Sequence, residues 1–399
     1  MTAVGIIAEY NPFHRGHAWQ IGEVRRRLGA DTAVAACMSG NFVQRGDFAL
    51  LEKHARAEAA LSGGADLVLE LPTPWACAPA ERFAQGGVAV LEAAGVVTHL
   101  AFGCECGDLE PLERIAACLD TPAYHAGLRR FLDGGMTFAA ARQGAVRGLT
   151  DRETAECLSR PNNTLAVEYL RALKKQGSAI EPLALPRVGA AHDSGELGDF
   201  SSASAIRERV LAGESWRELV PEGTAHVLER EMGAGRAPVS AASCERAILA
   251  RLRQMGKEDF RPYDGGNEGL YRRFYQAVQS ETALEDVLAA AKTKRYPLAR
   301  LRRMLVLSAL GVRTPGPGEM PPYLRVLGAN GRGRGLLREM VERAVLPVLT
   351  KPGSVRRLGE RAQEVFDLES RCTDFYVLAF PELAQAGPGQ EFAIGPVMR

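Results

Sequence analysis

Short apolar runs alternate with longer amphipathic segments along the first quarter of the chain. Four runs, at 4–8, 32–37, 65–71 and 99–102, are each long enough for a buried strand and too short for a helix. The segments between them, 16–28, 50–61 and 81–94, have helical periodicity, and Pro79 stands close before the third as a helix-start signal. This alternation predicts a parallel sheet with right-handed crossovers.

The pattern changes further along the chain. Helical segments are predicted at about 111–149 and 162–175, followed by a strand at 180–185, a polar loop at 189–199 and a helix that begins after several serines. Beyond residue 240 the chain is rich in Leu, Arg and Ala and is predicted to be mainly helical. We therefore predict an α/β fold, with a Rossmann-like parallel-sheet nucleotidyltransferase domain over 1–210 and a mainly helical domain over 211–399.

The composition is typical of a folded protein with more than one domain. The chain has 399 residues, of which 46% are hydrophobic, and this is enough for a substantial core. No run of about 18 apolar residues occurs, and no basic leader precedes the first strand, so we expect a cytoplasmic protein. The 8 cysteines lack the paired spacing of zinc sites, so we expect reduced thiols and no protein-bound metal.

Charge is distributed unevenly, although the formal net charge is only +1. Residues 240–361 contain 23 Lys and Arg against 12 Asp and Glu. Such an excess indicates either a surface that meets a polyanion or ordinary solvated helices, and the charge alone does not decide between them.

The strongest chemical signal is the stretch 9–17, EYNPFHRGH, which follows the first predicted strand and opens the first helix. This position is the carboxyl edge of a parallel sheet, where ligands of open α/β folds bind. His14 and His17 can both face a triphosphate at the helix N-terminus, and Gly16 lets a phosphate approach the backbone closely. Imidazole N–H donors stabilise the charge that develops when an α-phosphorus is attacked and pyrophosphate leaves. We therefore predict that His14 and His17 are catalytic.

A second signal is the serine-rich segment 201–207, SSASAIR, which opens the helix after the last predicted strand. Its hydroxyls, backbone N–H groups and guanidinium can hold the β and γ phosphates, and the residues concerned are Ser202, Ser204 and Arg207. The alternative is an ordinary helix N-cap.

Together, the His-x-Gly-His turn and the serine-rich helix start resemble the HxGH adenylyltransferases of the nucleotidyltransferase superfamily. Four stretches narrow this resemblance, because 3–17, 38–46, 64–72 and 160–165 are similar to the bacterial tRNA(Met) cytidine acetate ligase family. The basic run 292–303, which we expect to be a helix, also resembles the C-terminal portion of that family, which small adenylyltransferases that make dinucleotide cofactors lack.

The resemblance implies an enzyme that activates acetate with ATP as acetyl-adenylate and then acetylates N4 of the wobble cytidine of elongator tRNA(Met). The ATP-binding residues that it implies are Ile7, Ala8, Glu9, Tyr10, Asn11, Pro12, Phe13, His14, Arg15, Gly16, His17, Ala18, Trp19, Gln20, Gly103, Asn162 and Arg187. The basic run suits phosphate contact along a tRNA stem, and the residues that we assign to this contact are Lys292, Lys294, Arg295, Arg300 and Arg303. The chain departs from the usual family residues at Cys104, which replaces a Ser, and at Ala191, which replaces a Tyr.

Several charged residues have two interpretations. Lys53 and Arg56, with Arg45 just upstream, form either a cationic wall for phosphates or a solvated helix face. For Asp66 and Glu70, structural hydrogen bonding is favoured over acid–base chemistry, because their separation along a strand is long. His192 beside Asp193 is a candidate base for the cytidine amine, with a loop contact as the alternative.

Two further features concern phosphate binding, namely a glycine-rich stretch and the possible use of Mg²⁺. Residues 331–335, GRGRG, follow no clear strand and lack the Lys-Ser/Thr of a P-loop, so we expect a basic turn before a helix. Mg²⁺ suits the oxygens of a triphosphate, but no acidic cluster demands a protein-bound ion.

Two rival functions remain open at this point. A cofactor adenylyltransferase would use a phosphate nucleophile, but the extra helical domain and its basic run count against it. A nonenzymatic ATP-sensing RNA-binding protein would bind the nucleotide without any transfer.

Overall fold

The structure, a computed structural model, describes residues 2–186, 201–266 and 269–399. Its strands are β1 (Ala3–Ala8), β2 (Ala33–Ser39), β3 (Phe42–Val43), β4 (Asp47–Phe48), β5 (Leu67–Leu71), β6 (His99–Cys104), β7 (Glu181–Pro186), β8 (Leu324–Ala329), β9 (Val348–Leu349) and β10 (Val397–Met398). Its α-helices are α1 (Arg15–Leu28), α2 (Lys53–Ser62), α3 (Thr73–Ala76), α4 (Ala80–Ala93), α5 (Glu110–Cys118), α6 (Pro122–Asp133), α7 (Phe138–Arg147), α8 (Arg152–Glu156), α9 (Pro161–Gln176), α10 (Ala203–Ala212), α11 (Glu222–Gly233), α12 (Glu245–Arg253), α13 (Leu270–Ser280), α14 (Leu284–Ala291), α15 (Leu298–Leu310), α16 (Gly331–Arg343), α17 (Glu360–Tyr376) and α18 (Gln390–Ala393).

The parallel sheet predicted from the apolar runs is confirmed. Strands β5, β2, β1, β6 and β7 lie side by side in that order, and each neighbouring pair is parallel. Every residue of β2 and β5 is buried, as expected for strands that are covered on both faces. The chain places β2 and β5 on one side of β1, and β6 and β7 on the other. The order therefore reverses between β1 and β6, and such a switch point forms a crevice at the carboxyl ends of the strands.

The sheet continues beyond the predicted strands with elements from the C-terminal half. Strand β8 pairs antiparallel with β5, and β9 and β10 pair parallel with β8. The expectation that GRGRG follows no strand is wrong, because β8 ends at Ala329 and α16 begins at Gly331. Arg325 interrupts the apolar run of β8 and hides it from pattern analysis. The division near residue 210 stays a prediction, and the sheet contains strands from both sides of it.

Two predicted helical segments are divided in the structure. The stretch 111–149 forms the three helices α5, α6 and α7, because Thr121 and Thr137 each cap a new helix start. The basic run 292–303 is not one helix. Its first half is a turn between α14 and α15, and α15 begins at Leu298 directly after Pro297.

The hairpin of β3 and β4 connects the sheet to the helices of the C-terminal half. Phe42 and Phe48 are buried in the core formed mainly by α12–α15 and α17, and the ring of each lies about 6 Å from that of Tyr376. At the tip of the hairpin, Gly46 has a φ of 74°, and a Cβ there would collide with the backbone of Arg303 in α15. Glycine therefore lets the hairpin lie directly against α15. Within the described ranges, no helix is long and apolar enough to cross a membrane.

Candidate functional site

A cavity of about 370 Å³ lies at the switch point, between the carboxyl ends of β1 and β6. This volume is within the range of small-ligand sites. The cavity is lined by Ile6, Ile7, Ala8, Glu9, Tyr10, Asn11, His14, Gly16, His17, Trp19, Gln20, Gln44, Arg45, Phe83, Ala101, Phe102, Gly103, Asn162, Leu165, Tyr169, Leu185, Pro186, Ser201, Ser202 and Ala203. Its walls therefore include much of the stretch 9–17 together with residues from β6, α9 and the start of α10.

The two histidines form a reciprocal cap at the start of α1. His14 is the N-cap residue, and its Nδ1 accepts a hydrogen bond from the backbone N–H of Gly16 at 3.1 Å. The Nδ1 of His17 accepts one from the backbone N–H of His14 at 3.2 Å, and the two rings stack with centroids 3.7 Å apart. Because Nδ1 is an acceptor in both rings, each neutral imidazole carries its proton on Nε2. The helix start thus presents two oriented N–H donors.

Aromatic packing holds these rings from behind. Tyr10 and Phe13 are buried, and their rings lie 4.8 and 5.5 Å from that of His17. Tyr10 has a φ of 46°, in the left-handed region that side chains with a Cβ rarely adopt. Such a conformation costs about 1–3 kcal/mol and persists where the surroundings over-determine it. Here burial and aromatic contacts fix the turn that leads into the helix.

Two guanidinium groups hold the backbone of the same turn. Arg56 donates to the carbonyl of Glu9, and Arg207 donates to the carbonyl of Asn11 at 2.7 Å. Arg207 also donates to the Ser204 hydroxyl at 3.2 Å. Neither Ser204 nor Arg207 lines the cavity, so in this structure both support the turn. Ser202 does line it and also caps α10 by accepting the N–H of Ala205 at 3.2 Å.

The opposite wall is built where β6 meets α9. Gly103 and Asn162 line the cavity, as the resemblance implied. The amide Nδ2 of Asn162 donates to the Glu105 carboxylate at 2.6 Å, while the neighbouring Asn163 is buried and accepts the backbone N–H of Glu105 at 2.7 Å. These bonds tie the end of β6 to the start of α9 and fix the position of Asn162.

Some predicted ATP-binding residues are placed elsewhere. Pro12 and Phe13 are buried beneath the turn. Arg15 and Ala18 line a neighbouring surface groove together with residues that precede α11. Arg187, Ala191, His192 and Asp193 lie outside the described residues.

Other cavity residues were not among the predicted ATP-binding residues. The largest side chains among them are Gln44, Arg45, Phe83, Phe102 and Tyr169, from the β3–β4 hairpin, α4, β6 and α9. Gln44 and Arg45 belong to the stretch 38–46 that carried part of the resemblance, so this stretch was the signal that pointed to them. Phe83 and Tyr169 lie in ordinary amphipathic helices, and nothing local distinguishes them.

Both interpretations of Lys53 and Arg56 are wrong, because both side chains are completely buried. Lys53 Nζ lies 2.7 Å from Glu70 Oε1 and 2.6 Å from Glu391 Oε1. Arg56 donates to the backbone carbonyls of Leu51 and Ser39 at 3.0 Å each, besides that of Glu9. A buried charge needs such partners, and most of these come from segments distant in sequence.

The preference for structural hydrogen bonding at Asp66 and Glu70 is confirmed. Asp66 Oδ2 accepts the backbone N–H of Val34 and the guanidinium of Arg25, both at 2.8 Å. Glu70 is a partner of Lys53. Neither carboxylate lines the cavity.

The basic residues of the C-terminal half fall into two groups. Lys292, Lys294 and Arg295 are exposed in the turn before α15. Arg300 donates to Asp264 Oδ1 at 3.1 Å, and Arg303 donates to the carbonyl of Gln44 at 3.4 Å. Burial lowers the pKa of Arg303. The contact with Gln44 connects the basic run to the rim of the cavity.

The described part of the chain contains no cluster of side chains suited to a metal centre. No group of 3 or more His, Cys, Asp or Glu side chains there could hold a metal ion.

Comparison with known proteins places this site in a family. The family model described as HIGH Nucleotidyl Transferase matches residues 1–391 of this chain. The tRNA(Met) cytidine acetate ligase of Syntrophomonas wolfei subsp. wolfei is 36% identical over 100% of this chain and 99% of its own length. That of Caldanaerobacter subterraneus subsp. tengcongensis is 38% identical over 96% of this chain and 97% of its own. A crystal structure of Thermotoga maritima TmcAL bound with alpha-thio ATP superposes with a TM-score of 0.91 at 34% identity, covering 100% of this chain and 99% of that one. The chain belongs to the tRNA(Met) cytidine acetate ligase family of HIGH nucleotidyltransferases.

Proposed function

We propose that this protein is an ATP-dependent ligase that acetylates N4 of the wobble cytidine of elongator tRNA(Met). In the first step acetate attacks the α-phosphorus of ATP, and pyrophosphate leaves. In the second step the cytidine amine attacks the acetyl-adenylate, and AMP leaves. The observation that supports this most directly is the pair of oriented imidazoles at the switch-point cavity, in a chain that full-length acetate ligases match.

The cavity is suited to a nucleoside triphosphate. The start of α1 contributes the positive end of a helix dipole, which attracts phosphate. The Nε2–H groups of His14 and His17 would donate to phosphate oxygens and strengthen these bonds as charge develops in the transition state. Apolar residues such as Ile7 and Phe102 offer a surface for the adenine ring. The same placement supports the other predicted ATP-binding residues that line the cavity, which are Ile7, Ala8, Glu9, Tyr10, Asn11, Gly16, Trp19, Gln20, Gly103, Asn162 and Ser202.

The tRNA is proposed to approach over the turn before α15. Lys292, Lys294 and Arg295 are exposed there, and Arg303 joins the end of the run to the cavity rim. Phosphate contacts of this kind position an RNA without reading its sequence. This path leads from a cationic surface to the cavity where acetyl-adenylate is formed, as the second step requires. Because the reaction consumes ATP and tRNA, the compartment that we propose is the cytoplasm.

The experiment that tests this function uses purified protein, ATP, acetate and unmodified elongator tRNA(Met). Nucleoside mass spectrometry is expected to detect N4-acetylcytidine at the wobble position only when all three components are present. Acetate-dependent exchange of pyrophosphate into ATP would report the first step separately. Nucleotide binding with neither product nor exchange would instead indicate a nonenzymatic ATP-binding protein.

The catalytic assignment of the histidines has its own test. His14→Ala and His17→Ala are each expected to lower acetate-dependent exchange by about 10²–10³-fold, the usual effect of removing a transition-state donor. The circular dichroism spectrum should stay unchanged because both side chains lie at a ligand-binding edge. Exchange at the wild-type rate in the double variant would exclude the assignment.

A further inference from the structure

Glu9 occupies an unusual position for an ATP-binding residue, because it brings a carboxyl group into the cavity. It follows the last residue of β1, and its side chain lines the cavity beside the histidine turn. Its Oε1 accepts the backbone N–H of Gln44 at 2.9 Å, so the side chain is held toward the β3–β4 hairpin. No described residue donates a hydrogen bond to Oε2. A carboxylate is a poor phosphate ligand, and this position therefore requires another explanation.

The surroundings of Glu9 bring its titration nearer to neutrality. Burial raises the pKa of Glu9, and the Gln44 N–H and the positive charges of Arg207, Arg45 and Arg56 only partly offset this effect. The other titratable groups that face it are the buried Tyr169 and Cys77, whose pKa values burial and the Glu9 charge raise, and the two histidines of the turn. A carboxyl group of this kind suits proton transfer at physiological pH.

The second step of the proposed function needs such a group. When the cytidine N4 attacks the carbonyl carbon of acetyl-adenylate, a C–N bond forms and the C–O bond to AMP breaks. AMP departs with the electron pair, and the nitrogen must lose one proton. Neither His14 nor His17 is suited to accept this proton while its Nε2–H donates to phosphate.

We infer that Glu9 is the general base of acetyl transfer, which accepts the N4 proton on Oε2 while Oε1 stays bound to Gln44. This inference rests on the proposed function and adds a residue to its second step. The inference assigns separate roles to the residues at the two ends of the stretch 9–17. The histidines stabilise charge during adenylate formation, and Glu9 removes the proton during transfer.

The test separates the two steps with Glu9→Gln, which keeps an oxygen acceptor for Gln44 N–H and removes the base. Acetate-dependent pyrophosphate exchange should fall far less than transfer, because adenylate formation requires no proton acceptor. Single-turnover acetyl transfer to tRNA should fall by about 10²–10⁴-fold. Glu9→Asp, which keeps a carboxylate, should recover part of the loss. Glu58→Gln serves as a matched control, because Glu58 pairs with Arg230 and Arg399 away from the cavity.

The pH dependence of transfer distinguishes a base from a structural residue. In wild type the single-turnover rate should rise with pH as Glu9 ionises and then level off, and Glu9→Gln should lack this rise. Wild-type transfer in Glu9→Gln, or an equal loss in exchange and transfer, would overturn the inference. If the wild type exchanges pyrophosphate with acetate but never acetylates tRNA, the proposed function fails and the inference fails with it. That outcome is visible without any variant.

Discussion

Two groups of basic residues looked alike in the sequence but have opposite surroundings in the structure. Lys53 and Arg56 in α2 are completely buried, whereas Lys292, Lys294 and Arg295 in the turn before α15 are exposed. Each group consists of closely spaced cations in or next to a helix. The comparison teaches that spacing and charge do not show whether a cation faces solvent. Partners contributed by distant segments decide this.

The buried group stabilises the fold rather than binding phosphate. Lys53 lies between Glu70 of β5 and Glu391 of α18, and Glu391 also pairs with Arg325 of β8. Burial lowers the pKa of Lys53, but the two carboxylates raise it by more, so the ammonium stays charged. This network fastens the end of the chain to the centre of the sheet. Arg56 meanwhile fixes the turn that opens the cavity.

The largest effect that separates the two groups is expected from Lys53→Met. Removing this charge leaves Glu70 and Glu391 buried with less compensation, which should lower the free energy of unfolding by about 3–5 kcal/mol. Lys292→Met, the matched exposed substitution, should change it by less than about 0.5 kcal/mol. Urea denaturation measures both values. Equal stability of the two variants would contradict the assigned difference.

The next effect concerns the pH dependence of the buried network. Burial and the neighbouring Glu70 raise the pKa of Glu369 from 4.5 to about 8. Between these values the folded protein keeps a proton that the unfolded chain has released, so stability should fall as pH rises from about 4.5 to about 8. Glu369→Gln should remove on the order of a few kcal/mol of this fall. Denaturation at pH 5 and pH 8 measures it, and Glu364→Gln on the surface should keep the wild-type slope. A wild-type slope in Glu369→Gln would rule this out.

A smaller effect divides the basic run itself. Arg300 pairs with Asp264, which is only 1% exposed, so Arg300→Ala should lower stability by about 1–3 kcal/mol. Arg295→Ala should leave stability nearly unchanged because its side chain is exposed. Thermal denaturation of the two variants compares them directly. The assignment is wrong if Arg295→Ala proves the more destabilising.

The smallest effect should be confined to tRNA binding. The double variant Lys294→Ala with Arg295→Ala should weaken tRNA binding about tenfold and reduce the slope of log affinity against log salt by about 1–2. Arg26→Ala is the control, because Arg26 lies near the far end of α1 from the cavity, paired with Glu23. Binding titrations at several salt concentrations measure both quantities. An unchanged dissociation constant and an unchanged salt slope would remove the turn from the interface.

Elements held by local interactions could be predicted from the sequence, whereas elements held by distant partners could not. The strands β1, β2, β5, β6 and β7 were predicted because each consists mainly of apolar residues, and in β5 three apolar residues precede Glu70. Strand β8 was missed because Arg325 interrupts its run. That arginine is buried only because Glu391 and Glu70 neutralise it from distant parts of the chain.

The candidate site shows the same division. His14, Gly16 and His17 lie within one turn, and their hydrogen bonds are local, so the motif itself specifies their arrangement. Gln44 reaches the cavity through a hairpin packed on α15, and Arg207 supports the turn from a later helix. The periodicity of apolar residues along the chain does not predict these contacts.

The sequence by itself therefore determined the five parallel strands β1, β2, β5, β6 and β7, the location of the histidine turn and the family to which the chain belongs. Only the tertiary structure decided that Lys53 and Arg56 are interior, that β8 extends the sheet and that Glu9 meets Gln44 at the cavity. The physical reason is that apolar burial and helix capping depend on neighbouring residues. The burial of a charge instead depends on partners that only folding brings together.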